Sequence, residues 1–173
     1  KIITKEMEKI VITGGLGYIG TELCKIYSGE SRYKDIYVLD NRFVSERVKQ
    51  LADWGMNFIH GSILDEKLVS DLLQNADVIY HLAGITDVSY TKSESNEIKD
   101  EEIRKCGVDG TRNIIKHAPK TAKLIFPSTH VVFEGFTETK FQLEESTPTN
   151  CMLSYSSSKV QSEVDIKDSD LNH

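Results

Sequence analysis

Short apolar runs alternate along this chain with longer segments whose apolar residues recur at helical spacing. "KIVIT" (9–13), "DIYVLD" (35–40), "MNFIHG" (56–61), "DVIYHLAG" (77–84) and "AKLIFPST" (122–129) read as strands. Between them, "YIGTELCKIYSG" (18–29) reads as a helix with Ile19, Leu23 and Ile26 on one face and Gly29 as its C-cap. "DEKLVSDLLQNA" (65–76) is a helix with acidic residues in its first turn. "NEIKDEEIRKCGVDGTRNIIKHA" (96–118) reads as one long helix despite its two glycines, and "SYSSSKVQSEVDIK" (154–167) as the last. No internal repeat or low-complexity linker interrupts the series.

Near-continuous apolar strands alternating with helices imply a parallel sheet covered on both faces. Right-handed crossovers then leave few topologies, and a Rossmann-like doubly wound α/β sheet of order 3-2-1-4-5 fits best. The 173 residues suit one domain with a real core, here 1–173. In such sheets ligands bind beyond the C-terminal strand ends.

Charge and cysteine usage narrow the class. A formal charge of −6 lacks the basic face of a nucleic-acid binder. The three cysteines, Cys24, Cys106 and Cys151, have no metal-ligand spacing and form no disulfide framework, which points to a reducing compartment. No apolar stretch is long enough to span a bilayer, and "KIITKEMEK" lacks the apolar segment of a signal peptide. A cytoplasmic protein is expected. "KSESNEIKDEEIRK" (92–105) reads as a solvated helix entry. Trp54, Met56, Phe58 and Ile59 read as packing residues.

The candidate chemistry begins at "TGGLGYIG" (13–20). Gly14, Gly17 and Gly20 leave strand one and open the first helix, as a dinucleotide turn requires. Absent side chains let backbone approach a pyrophosphate, and Tyr18 and Ile19 bring helix N–H groups to it. Asp40 ends the second strand, where a carboxylate can accept from an adenosine ribose and repel a 2′-phosphate; this favours NAD over NADP. Arg42 works against that preference. Tyr155 and Lys159 in "YSSSK" lie at i and i+4 and share a helix face. A lysine ammonium lowers a neighbouring phenol's pKa, which suits the tyrosine to proton transfer. "FPSTHVVF" supplies Ser128 and Thr129 at the sheet's ligand edge, either of which could bond a substrate oxygen.

Together "TGGLGYIG", "VLDN" (38–41), "HLAG" (81–84), "GVDGTRNII" (107–115), "PSTHVVFEG" (127–135) and "YSSSK" (155–159) resemble the extended short-chain dehydrogenases/reductases, the NAD-dependent epimerase/dehydratase family. The resemblance covers nearly the whole chain. It implies NAD as cofactor and a nucleotide-linked sugar as substrate, with Tyr155 as acid/base, Lys159 as its partner and ribose ligand, and Thr129 as the polarising hydroxyl. Gly14, Gly17 and Gly20 would line the pyrophosphate, and Asp40 with Asn41 would hold the adenosine ribose. Leu82, Ala83 and Gly84 would run past the cofactor, and His81 would be a satisfied strand-end histidine. Ser62 stands where the family often places an aspartate that reads adenine, which leaves adenine to Ser62 and Ile63. Gly107 replaces a usual asparagine. His130 and Val131 replace the Asp-Glu of dehydratases, which favours epimerase or dehydrogenase/reductase chemistry, with epimerisation leading. Members also carry a C-terminal substrate lobe that is missing here, so nucleotide binding without efficient turnover is expected of this chain alone. The alternative is a non-catalytic NAD(H)-binding sensor or scaffold domain. Family members often pair through the helices bearing "GTRNII" and "YSSSK", which implies a homodimer.

Overall fold

A computed structural model describes residues 7–29, 34–86, 96–136 and 146–173. The start of the N-terminal segment (1–6) and residues 92–95 of the charged helix entry lie outside the described residues.

Five parallel strands form one sheet of order β3-β2-β1-β4-β5, as expected. They are β1 (Glu8–Thr13), β2 (Lys34–Asp40), β3 (Asn57–His60), β4 (Val78–His81) and β5 (Lys123–Ile125). Their residues alternate between two cores, following the period-2 geometry of a strand. Ile10, Ile12, Ile36 and Val38 pack with Leu16, Cys24, Leu51 and Met56 on one face. Val11, Leu39, Ile79 and Leu124 pack with Val69, Leu73, Ile114 and Ile166 on the other. Helices α1 (Tyr18–Tyr27) and α2 (Ser45–Asp53) cover the first face; α3 (Glu66–Leu73), α5 (Gly110–His117) and α6 (Ser154–Lys167) cover the second. Trp54 and Phe58 pack against the first core and Ile59 against the second, while Met56 is buried.

Several elements depart from the periodicity. The fourth and fifth strands stop at His81 and Ile125, and Leu82, Ala83, Gly84, Pro127 and Ser128 beyond them line an open cleft. The expected 96–118 helix is α4 (Glu97–Arg104), a π turn (Lys105–Asp109) and α5. Gly107 lies within the π turn, where a Cβ would stand 3.1 Å from Cβ of Ser158. The glycine expected to lack a hydrogen-bonding role thus allows α6 to approach closely. α2 has no counterpart in the expected elements, because its exposed face hides a single buried anchor, Leu51.

The first helix turns a different face inward than expected. Its buried residues are Gly20 and Cys24, while Ile19 and Ile26 are exposed. The sheet side must come within contact of the glycine turn, which a bulky Ile could not do. Gly29 is not its C-cap; the helix ends at Ser28 in right-handed geometry. Asp65 lies one residue outside α3 and caps it, accepting from Leu68 N at 3.0 Å. At the other end of the chain, Asn172 bridges Lys123 in parallel and its carbonyl accepts from Leu124 N at 2.8 Å.

Candidate active site

The C-terminal ends of β1, β2 and β4 border a cleft of about 680 Å³, within the ordinary range of ligand sites. The glycine turn forms its floor. Gly14 N donates to Leu39 O at 2.7 Å and Gly17 N to Gly14 O at 3.0 Å, which folds the turn back on itself. The three glycines do different work. Gly14 has φ +70°, and a Cβ there would come within 2.7 Å of Ala83 N. A Cβ on Gly20 would meet Gly14 O at 2.5 Å. Both absences let the protein pack on itself. Gly17 is the helix N-cap, has ordinary φ of −73° and lines the cleft. A Cβ there would stand 3.1 Å from Gly14 O, and its absence also leaves the opening N–H groups of α1, which no side chain caps, open to a ligand. A dinucleotide fits this cradle: backbone donors, a helix N-terminus and no Cβ in the way. Tyr18 and Ile19 are exposed on the same rim.

Asp40 is almost fully buried at the end of β2. Its Oδ2 accepts from Leu16 N at 2.9 Å, and Leu16 O in turn accepts from the Arg47 guanidinium of α2. Asp40 is therefore a structural clamp on the glycine turn as well as a cleft residue. Arg42 approaches from outside: its backbone N is 2.9 Å and its Nε 3.2 Å from Oδ1, and its Nη2 is 3.3 Å from Oδ2. Asn41, Ser62 and Ile63 line the cleft beside it. Ser62 Oγ accepts from Leu64 N at 3.1 Å, and Ile63 O accepts from Asn113 Nδ2 at 3.0 Å, so this loop is tied to itself and to α5.

Leu82, Ala83 and Gly84 form a wall of the cleft, which Tyr155 and Lys159 also line. Beneath that wall lies His81, fully buried. The Thr111 hydroxyl donates to Gly107 O at 2.5 Å, so it accepts from His81 Nε2 at 2.9 Å. Nδ1 is then bare and accepts from the Thr13 hydroxyl at 2.8 Å, whose oxygen accepts from Ala83 N at 3.2 Å. Every polar atom is satisfied with the ring neutral. Burial, assisted by the Lys159 charge, pushes the imidazole down to about 3. His81 is the satisfied strand-end histidine expected of it.

Tyr155 sits in the first turn of α6. Burial holds its phenol above the ordinary range, outweighing the opposite pull of the Thr129 hydroxyl. This differs from the expected lowering by Lys159. The lysine is turned elsewhere: Nζ donates to Pro127 O at 3.0 Å and lies 4.2 Å from the Phe126 ring centre. Burial lowers its pKa, opposed by the charges of Glu163 and Cys106. Both side chains line the same cleft all the same. Of the two candidate hydroxyls, Ser128 lines the cleft and bonds Glu163, while Thr129 accepts from Val131 N at 3.3 Å and pulls the Tyr155 phenol toward its phenolate.

One supporting residue escaped the sequence reading. Helix α6 has no side-chain cap of its own at Leu153, and no acidic residue in its first turn. Glu134 supplies the cap from outside: its Oε1 accepts from Met152 N at 2.9 Å, Leu153 N at 2.8 Å and the Ser156 hydroxyl. It thereby fixes the turn that carries Tyr155. The signal was the bare N-terminus of "LSYSSSK", which leaves its donors to be met elsewhere. Cys106, Ile85, Thr86 and Pro127 also line the cleft and were not anticipated.

A doubly wound sheet with a glycine turn, an acidic strand end and a Tyr–Lys helix at one cleft defines a dinucleotide-binding dehydrogenase architecture. The model of the 3-beta hydroxysteroid dehydrogenase/isomerase family matches residues 11–172, and the chain belongs to that family. It is 32% identical over 128 residues to the UDP-N-acetyl-alpha-D-glucosaminuronate decarboxylase of Bacillus cytotoxicus, covering 73% of this chain and 38% of the relative. It is 29% identical over 163 residues to the UDP-glucose 4-epimerase of Mycoplasma genitalium, covering 90% and 46%. Among solved structures, UDP-glucuronic acid 4-epimerase from Bacillus cereus, in complex with UDP-glucuronic acid and NAD, superposes with a TM-score of 0.78 at 24% identity, over 94% of this chain and 54% of that one. The last likeness shows the fold. The chain spans about half the length of these relatives or less. Among the described residues no helix is long and apolar enough to cross a membrane, and no cluster of side chains could hold a metal ion.

Proposed function

We propose that this chain is the NAD-binding part of an enzyme that acts on a nucleotide-linked sugar, with epimerisation at a ring carbon as the leading reaction. The observation that carries the reading is one cleft. Gly17 and the N-terminus of α1 line it together with Tyr155 and Lys159. Asp40 and Asn41 would take the adenosine ribose, Ser62 and Ile63 the adenine, and Leu82–Gly84 would run past the cofactor. When bound, NAD would supply a hydride acceptor beside Tyr155.

The chain's own residues set the proton chemistry. Tyr155 rests as a neutral phenol, because burial disfavours its phenolate. Acting as a base requires positive charge beside it. Lys159 is the candidate, and it must first release the Pro127 carbonyl. Thr129, whose hydroxyl favours the phenolate, would align it with a sugar hydroxyl. Proton removal from that hydroxyl by Tyr155, with loss of hydride from the adjoining carbon, gives a transient keto sugar. Return of hydride to its other face inverts the centre. The bond of the Lys159 ammonium to Pro127 O favours one second reading, a dinucleotide-binding domain that does no chemistry.

The test is Tyr155→Phe. In a protein carrying a substrate lobe, the variant should bind NAD within about twofold of the parent and lose at least about a hundredfold in turnover of a UDP-sugar, the range for a lost acid/base group. Equal turnover in variant and parent would sink the catalytic assignment and leave the binding domain.

A further inference from the structure

Pro127, Ser128 and Thr129 follow one another beyond β5, and α6 grips the first two with side chains one turn apart. Lys159 Nζ donates to Pro127 O at 3.0 Å, and the Glu163 carboxylate accepts from the Ser128 hydroxyl. Lys159 and Glu163 lie at i and i+4, on one face of the helix. A lysine and a glutamate at that spacing can pair with each other. Here each bonds the segment after β5. Burial lowers the Lys159 pKa, and the Glu163 charge opposes that lowering.

The two bonds fare differently when the cleft is used. Lys159 lines the cleft, and any part in proton transfer requires it to release Pro127 O. Glu163 lies outside the lining, and its charge-assisted bond to Ser128 survives a move of the lysine. Thr129 is the next residue, and its hydroxyl favours the Tyr155 phenolate. Beyond Thr129, Glu134 ties the chain to the start of α6. With Lys159 released, the hold on the near side of Thr129 rests on Ser128.

We propose that Glu163 is a positioning residue: by holding Ser128 it keeps the segment that carries Thr129 on α6 once Lys159 has left Pro127 for a bound dinucleotide. The inference rests on the dinucleotide reading above. Glu163 touches neither cofactor nor sugar in this role; it acts through Ser128 on Thr129.

The experiment is NMR-detected amide exchange at Ser128–Val132, with the β1 amides as reference for global opening. It compares the chain with Ser128→Ala, Glu163→Ala and Glu163→Gln, each with and without saturating NAD. Without NAD, Ser128→Ala and Glu163→Ala should exchange within about twofold of the parent, because Lys159 still holds Pro127 O. With NAD, both should exchange about fivefold or more faster than the NAD-bound parent, because the remaining bond is gone. Glu163→Gln should stay within about twofold of the parent in both states, since its amide oxygen accepts from Ser128. Lys159→Met combined with Ser128→Ala should show the quickening without NAD. Quickening of equal size with and without NAD, or none in either state, would overturn the positioning role while leaving the dinucleotide reading intact. So would a double variant that exchanges like the parent. A parent that binds no NAD would sink the dinucleotide reading, and this role with it.

Discussion

His81 makes folding stability depend on pH in a way that isolates one residue. The folded imidazole is buried, neutral and held down to about 3, with both ring nitrogens already bonded. In the unfolded chain it protonates near its ordinary value of about 6.5. Between those values the unfolded state binds a proton that the folded state excludes. Stability is therefore full above about pH 6.5 and falls as pH drops through the window, by up to about 1.4 kcal/mol per unit. At about pH 5 the loss amounts to about 2 kcal/mol. His81→Asn removes the titrating group. It also costs about 2 kcal/mol at about pH 8, through the cavity left and the hydrogen bonds lost to Thr13 and Thr111. Urea unfolding followed by the fluorescence of Trp54, the only tryptophan, measures both proteins. Groups common to the two cancel in the difference. The gap between parent and variant should shrink from about 2 kcal/mol toward zero between about pH 8 and 5. A gap that stays constant across that range would refute the neutral, fully bonded histidine.

Two further predictions separate structural from ligand-facing positions. Gly14→Ala should cost more than about 2 kcal/mol in thermal or urea unfolding, because φ is +70° and Ala83 N blocks the Cβ. Gly17→Ala should cost less than about 1 kcal/mol and instead weaken NAD about tenfold or more in calorimetry. Glu134→Ala should destabilise the chain by about 1–2 kcal/mol, because three donors at the start of α6 lose their acceptor. Hydrogen exchange should then quicken at Ser156 and Ser157 before it does in β1.

The sheet order was legible because its strands are buried on both faces, so "KIVIT" and "DIYVLD" read as continuous apolar runs between helical segments. The glycine turn was legible because backbone geometry demands residues without side chains at fixed spacing. What stayed hidden depends on partners remote in sequence. Nothing local says that Asp40 spends an oxygen on Leu16 N, or that Arg42 takes the rest. The i, i+4 spacing of Tyr155 and Lys159 puts them on one face but does not choose a rotamer, and Pro127 O competes successfully for the ammonium. Helical periodicity overestimated the inward role of Ile19 and Ile26, because close packing on the glycine turn selects the smallest face of α1. It also merged α4 and α5, since no local pattern marks the π turn over Lys105–Asp109, whose Gly107 packs closely on Ser158. Glu134 shows the converse: a cap supplied 19 residues before Leu153 leaves only a bare helix start as its trace.

The central claim is that one cleft holds a dinucleotide from the glycine turn to Tyr155. A crystal structure of the chain with NAD tests it most directly. The pyrophosphate should lie on the backbone N–H groups that follow Gly17, and the nicotinamide beside Tyr155 and Lys159. Pyrophosphate density elsewhere, or a nicotinamide directed away from Tyr155, would contradict it.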